Sequence, residues 1–282
     1  MRVQVGDGRL FFDVEGAALV PDGPAMRTRP TLILLHGGPG ADHSLYKPDF
    51  SPLADIAQVI YLDHRSAGRS DRTGPDRWTL ANWGDDVREF CDALEIERPI
   101  VMGTSFGGMV AMAYATRHPD HPSKLILCST AARVDVSRVL AAFERRGGRA
   151  AADAAERFFR DPSPKTAPDY FRLCMPLYTY RPDPHMAEMF SRIIANDELT
   201  AHYLRVIETS FNLIPDLPRI KCPTLVMAGE EDPVTPPADS EDIAAAIPPQ
   251  FVRLTRFPNA GHGIVGDDRE RFMKTLREFI VS

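Results

Sequence analysis

The chain has 282 residues, 44% hydrophobic and 26% charged, which supplies apolar material for one large core with room for an inserted lobe and excludes a disordered chain. A formal net charge of -6 provides no domain-wide basic field for a phosphate backbone, so no nucleic-acid partner is expected, and a small uncharged or cationic ligand suits it better. The four cysteines, Cys91, Cys128, Cys174 and Cys222, are far apart with no C-x-x-C pair, which argues against a zinc site and against a secreted disulfide scaffold.

Met1 to Leu10 carries Arg2, Asp7 and Arg9 and lacks the apolar stretch of a secretory signal, so a cytoplasmic location is the expectation. No run approaches the ~20 apolar residues that span a bilayer, and no membrane partner is expected. Val3 to Val5 and Leu10 to Val14 read as an opening antiparallel pair. Thr31 to Leu35 is an apolar strand that ends on His36-Gly37-Gly38-Pro39-Gly40. Strand Val59 to Leu62, helix Asn82 to Leu94, strand Ile100 to Met102 and helix Phe106 to His118 follow, the last stopped by Pro119. Lys124 to Cys128 is a further strand.

From about residue 131 to 215 the chain turns arginine- and alanine-rich, broken by Pro162, Pro164, Pro168, Pro176, Pro182 and Pro184, with no central strand pattern. This reads as an inserted helical cap between two parts of one core, 1–130 and 216–282. The strand rhythm resumes at Thr224 to Ala228, then helix Ala238 to Ala246, strand Phe251 to Phe257 and helix Asp268 to Ile280. Strands that alternate with helices make the fold class α/β with a mostly parallel sheet.

The strongest chemical signal is Gly103-Thr104-Ser105-Phe106-Gly107-Gly108, a G-x-S-x-G pattern lying between an apolar strand and a helix, as a nucleophile elbow requires. Small residues at 103 and 107 let strand and helix approach closely enough to hold Ser105 in a strained turn. A serine hydroxyl is a weak nucleophile and needs a base, which in turn needs an orienting group. His262, one of eight histidines, lies between Gly261 and Gly263 after the last strand, and Asp232 follows the strand before it. Ser105, Asp232 and His262 thus all fall on loops at one edge of the sheet. Glu230, Glu231 and Asp239 lie close enough to Asp232 to be alternatives for the acid. Backbone N–H groups of Phe106 and of Gly38, with Gly37 as fallback, are the candidate oxyanion hole. No metal and no organic cofactor is required by this chemistry.

Three segments together, His36 to Gly40, Asp63-His64-Arg65-Ser66-Ala67-Gly68-Arg69-Ser70 and Gly103 to Gly108, resemble the proline iminopeptidase branch of the α/β-hydrolases. The resemblance implies an eight-stranded, mostly parallel sheet with helices on both faces, a Ser-Asp-His triad under a helical cap, and action on short peptides with a free N-terminal residue. Two positions depart from the pattern: Pro233 stands where those peptidases carry a glutamate that holds the substrate amine, and Ser66 where they carry glycine. Carboxylic ester or lactone hydrolysis is the alternative, with carbon-carbon bond hydrolysis or a non-catalytic receptor behind it. Serine at 105 disfavours the relatives whose nucleophile is aspartate. The expected partner is a small molecule or short peptide bound by Phe171, Tyr178, Tyr203 and Glu208, with Met175 as a further cap side chain of the pocket, Trp78 or Trp83 near the mouth and Glu198 as a further cap carboxylate. Asp63 and Arg65 are expected to form a charged pair that braces their turn. Nothing in the sequence sets the oligomeric state.

Overall fold

The computed structural model describes residues 1–207 and 210–282. The strands are β1 (Arg2–Val5), β2 (Gly8–Glu15), β3 (Leu19–Asp22), β4 (Ala25–Thr28), β5 (Thr31–Leu35), β6 (Gln58–Leu62), β7 (Ile100–Thr104), β8 (Lys124–Cys128), β9 (Thr224–Gly229) and β10 (Val252–Phe257). Eight of them form one sheet in the order β1-β2-β6-β5-β7-β8-β9-β10, while β3 and β4 make a separate two-stranded hairpin. β1 and β2 run antiparallel at one end and the rest of the sheet is parallel.

Alternation along each strand divides the core. Ile33, Leu35, Val101, Leu125, Leu127 and Val226 face helices α1 (Leu80–Ala93) and α2 (Phe106–Arg117) in one cluster. Leu32, Leu34, Ile100, Met102, Ile126 and Met227 point the other way, toward Tyr46, Phe50 and the C-terminal helix. The central strands are apolar on both faces because helices cover both. At 25 cal/mol per Å2 of apolar surface, burying each of these large side chains stabilises the fold by roughly 1.5 to 3 kcal/mol.

Between β8 and β9 lie α3 (Val136–Arg160), α4 (Ala167–Leu173), α5 (Met186–Ser191) and α6 (Asp197–His202), with no strand among the described residues. Helix α3 is broken at Gly148, whose φ of 74° and ψ of -179° leave the helical region. The lobe has its own small core of Val139, Phe143, Ala154, Tyr170 and Cys174. Helices α7 (Pro237–Ala246), α8 (Ile264–Asp267) and α9 (Arg269–Val281) complete the chain. Among the described residues no helix is long and apolar enough to cross a membrane.

Candidate active site

The strand order reverses direction at β5: β6 lies on one side and β7 on the other, so the loops after β5 and β7 splay apart and leave a crevice at the sheet's C-terminal edge. Ser105 follows β7 directly and caps α2, with φ 54° and ψ -122°. Its backbone is held on both sides: its N–H donates to the Cys128 carbonyl at 3.0 Å, and its own carbonyl accepts from Thr130 Oγ1 at 2.7 Å. A Cβ at Gly103 would strike the Gly107 carbonyl, and one at Gly107 would strike the Leu35 carbonyl, so both glycines serve close approach. Phe106 is the first helical residue of α2, and its N–H therefore has no intrahelical acceptor.

Across the crevice, the turn after β5 carries Gly37 and Gly38, with Gly38 at φ 58°. A Cβ at Gly37 would lie 3.1 Å from Ser105 Cβ, which measures how close this turn comes to the serine. Beyond the ends of β9 and β10, Asp232 and His262 meet. His262 Nδ1 donates to Asp232 Oδ2 at 2.8 Å, which fixes the plane and direction of the imidazole ring. Asp232 is fully buried, and the N–H groups of Val234 and Thr235 donate to its Oδ1 at 2.7 and 3.0 Å. Thr235 Oγ1 donates to Oδ2 at 2.8 Å and stands 3.4 Å from His262 Nδ1. A buried carboxylate with this many donors is both satisfied and rigid. Sequence reasoning missed Thr235, although a hydroxyl three residues after an aspartate is a recognisable local turn signal.

Ser105, Gly37, Gly38, Phe106 and His262 line one cavity of about 470 Å3 between the sheet edge and the helical lobe. Phe171, Met175, Tyr178 and Tyr203 line it too, with the Phe106 and Tyr203 rings packed edge-on at 5.3 Å. Its described lining includes Asp49, Asp183 and Asp197 but neither lysine nor arginine. Burial pushes the Cys128 thiol, also on the wall, up to about 12, so it carries no charge. Among the described residues no group of histidine, cysteine or carboxylate side chains could hold a metal ion.

Trp78 and Trp83 are not on the cavity wall; they are buried in the core, where their indole N–H groups donate to Ser66 Oγ at 2.9 Å and to the Arg65 carbonyl at 3.3 Å. Asp63 and Arg65 do not pair with each other. Asp63 accepts from His43 Nδ1 at 2.7 Å and from the Arg69 N–H at 2.8 Å, whereas Arg65 binds Asp86 at 2.8 Å and Asp7 at 2.5 Å. The chain turns directly after β6, with the Ala67 N–H donating to the His64 carbonyl at 2.9 Å, so the two side chains leave the turn toward different partners. Glu198 is exposed on α6 and off the cavity lining, and Glu208 lies outside the described residues. Ser66, where glycine was the pattern, adopts φ 63° and uses its hydroxyl to hold the Thr73 N–H and Trp78.

Residues 30–268 match the profile of the alpha/beta hydrolase fold family. The chain belongs to that family. A candidate carbamate hydrolase, RutD of Caulobacter sp. (strain K31), is 29% identical to this α/β-hydrolase over 277 residues, covering 96% of this chain and 95% of its own. The crystal structure of proline iminopeptidase from Mycobacterium smegmatis superposes with a TM-score of 0.78 at 26% identity, covering 99% of this chain and 97% of that one. An esterase from Thermogutta terrifontis gives a TM-score of 0.73 at 28% identity, with 99% and 98% covered.

Proposed function

We propose that this α/β-hydrolase cleaves acyl substrates through a covalent Ser105 intermediate, with His262 as general base, Asp232 as the carboxylate that orients it, and the lobe over residues 131–215 as a cap. The observation that carries the reading is the 2.8 Å His262–Asp232 bond at the cavity that Ser105 also lines. In this mechanism His262 takes the Ser105 proton as Oγ attacks the carbonyl carbon, and the oxyanion accepts hydrogen bonds from the Phe106 and Gly38 N–H groups. His262 then protonates the leaving group, and water cleaves the acyl-enzyme with the same groups in reversed roles.

A neutral carboxylic ester with a sizeable apolar acyl group is the substrate class best supported. The described wall is built mainly from apolar and aromatic side chains and offers no lysine or arginine to a substrate carboxylate. A second reading, removal of a small N-terminal residue such as proline from a short peptide, is favoured by Asp183 and Asp197 on the lining, which suit an ammonium group, and by the iminopeptidase likeness.

Two measurements test this. A fluorophosphonate probe should label Ser105 and no other serine; an unlabelled protein without hydrolytic turnover would remove the enzyme reading. Initial rates on p-nitrophenyl esters and on proline p-nitroanilide separate the substrate classes, and anilide turnover exceeding every ester would give the peptidase reading precedence.

A further inference from the structure

We propose that Arg146 is a positioning residue that holds the acid and base loops in register from the lobe above them. Its consequence for rate rests on the serine-hydrolase reading, but its consequence for the Asp232–His262 bond does not.

Arg146 lies in α3 just before the break at Gly148, and only 11% of its side chain is exposed. A guanidinium this buried ordinarily pairs with a carboxylate. Here the nearest carboxylate oxygen of its ion pair, Glu231 Oε2, is 3.9 Å from Nε, and the close acceptors are backbone carbonyls on two separate segments. Nη1 donates to the Leu177 carbonyl and to the Glu231 carbonyl, both at 2.6 Å, and Nη2 donates to the Thr179 carbonyl at 3.1 Å.

Each segment leads to one member of the pair. Glu231 precedes Asp232, and its N–H donates to the Ala260 carbonyl at 2.9 Å in the loop that carries His262. Leu177 and Thr179 bracket Tyr178, whose carbonyl accepts the Gly263 N–H at 3.0 Å and whose ring meets the His262 ring edge-on at 5.4 Å. One planar fork thus closes a circuit from lobe to acid loop to base loop and back. Lysine cannot reproduce it, since a single ammonium lacks the fixed spread of N–H directions. The local sequence is shaped for it: a Cβ at Gly147 would crowd Leu177, so glycine beside the arginine lets the 177–179 segment approach.

The test uses Arg146→Met and Arg146→Lys in the full chain, with kcat and KM on p-nitrophenyl butyrate expressed per site titrated by fluorophosphonate. A second readout is the downfield proton resonance of His262 Nδ1–H, identified by its loss in Asp232→Asn. Displacing a catalytic pair by a fraction of an ångström lowers kcat by roughly 10- to 100-fold in Arg146→Met with KM changed less than about twofold, and Arg146→Lys recovers part of it. The resonance should move or vanish in Arg146→Met. A residue that only stabilises the lobe would lower Tm and leave both readouts per titrated site untouched, which would overturn the proposal. Should Arg146→Met fail to fold, the lysine variant decides by the same two readouts. If wild type turns over no ester and takes no label, the serine-hydrolase reading fails while the resonance still tests Arg146.

Discussion

His36 Nδ1 donates to the carbonyl of Gly37 at 3.0 Å, and that single bond aims the N–H of Gly38. A trans peptide points its C=O and its N–H in opposite directions, so a carbonyl held toward the histidine turns the following N–H away from it. His36 Nε2 accepts the His64 N–H at 3.2 Å, and His64 Nε2 donates to the His36 carbonyl at 3.1 Å. With one nitrogen donating and the other accepting, His36 has to be neutral.

Burial lowers the pKa of His36 and lowers that of His64 well below 6.5. As pH falls, the unfolded chain therefore binds these protons first; the stability they represent is complete above 6.5 and is lost below it. Asp239, pushed up to about 6 by burial, acts in the opposite sense, removing stability as pH rises from 3.8 toward 6. Comparing wild type with His64→Gln isolates the histidine: below 6.5 the wild-type stability should fall more steeply by about 1.4 kcal/mol per pH unit. Urea unfolding on both sides of that pH measures it, and parallel curves would refute the role of burial.

The Ser105 backbone predicts an unusual order of stabilities. At φ 54° and ψ -122° a side chain is strained by roughly 1 to 3 kcal/mol, and glycine is not. Ser105→Gly should therefore be more stable than Ser105→Ala by about 1 kcal/mol, while both lose more than ~1,000-fold in kcat. Chemical denaturation of the two variants decides the point.

Thr235 shares Asp232 Oδ2 with His262. Thr235→Val removes that donor from a buried carboxylate without changing side-chain shape, and kcat on an ester should fall roughly tenfold. Thr235→Ser should restore most of the rate. Equal kcat in wild type and the valine variant would show that the hydroxyl does nothing for the pair.

Gly40 and Gly148 both have positive φ, 88° and 74°, but differ in their surroundings. A Cβ at Gly40 would collide with the Asn196 carbonyl and lie 2.7 Å from Thr200 Oγ1, at the seam where the Asn196 N–H donates to the Gly40 carbonyl at 2.8 Å. Among the described residues nothing lies within 4 Å of one at Gly148. Gly148→Ala should cost about 1 kcal/mol from backbone strain alone, and Gly40→Ala about 2 to 3 kcal/mol with a raised KM as the lobe is pushed off the turn after β5. Unfolding curves and ester kinetics on the two variants test the contrast.

The cavity predicts chain-length selection. Each methylene buried in it contributes about 0.8 kcal/mol, so kcat/KM on p-nitrophenyl esters should rise about fourfold per carbon until the space is filled. Val139→Trp, which narrows the wall, should move the optimum to shorter chains. An acyl group of equal length ending in a carboxylate should react at least about 100-fold more slowly, there being no lysine or arginine on the described lining. A flat profile would place the acyl group elsewhere.

Much of this protein is determined locally. The apolar runs that became β5 and β8 start and stop as their residue patterns require, and a serine in a glycine-flanked strand-to-helix turn dictates its own strained backbone, because short-range sterics and periodicity act within a few residues. The exposed β3–β4 hairpin is not legible in the sequence, since a ribbon without a buried face shows no alternation. What tertiary structure alone decided is pairing: that Arg146 reaches a carbonyl 85 positions away, that Asp63 and Arg65 part company, and that the tryptophans are core. Those outcomes depend on which loops the strand order brings to one edge of the sheet, a property of the assembled layers that no short stretch of chain contains.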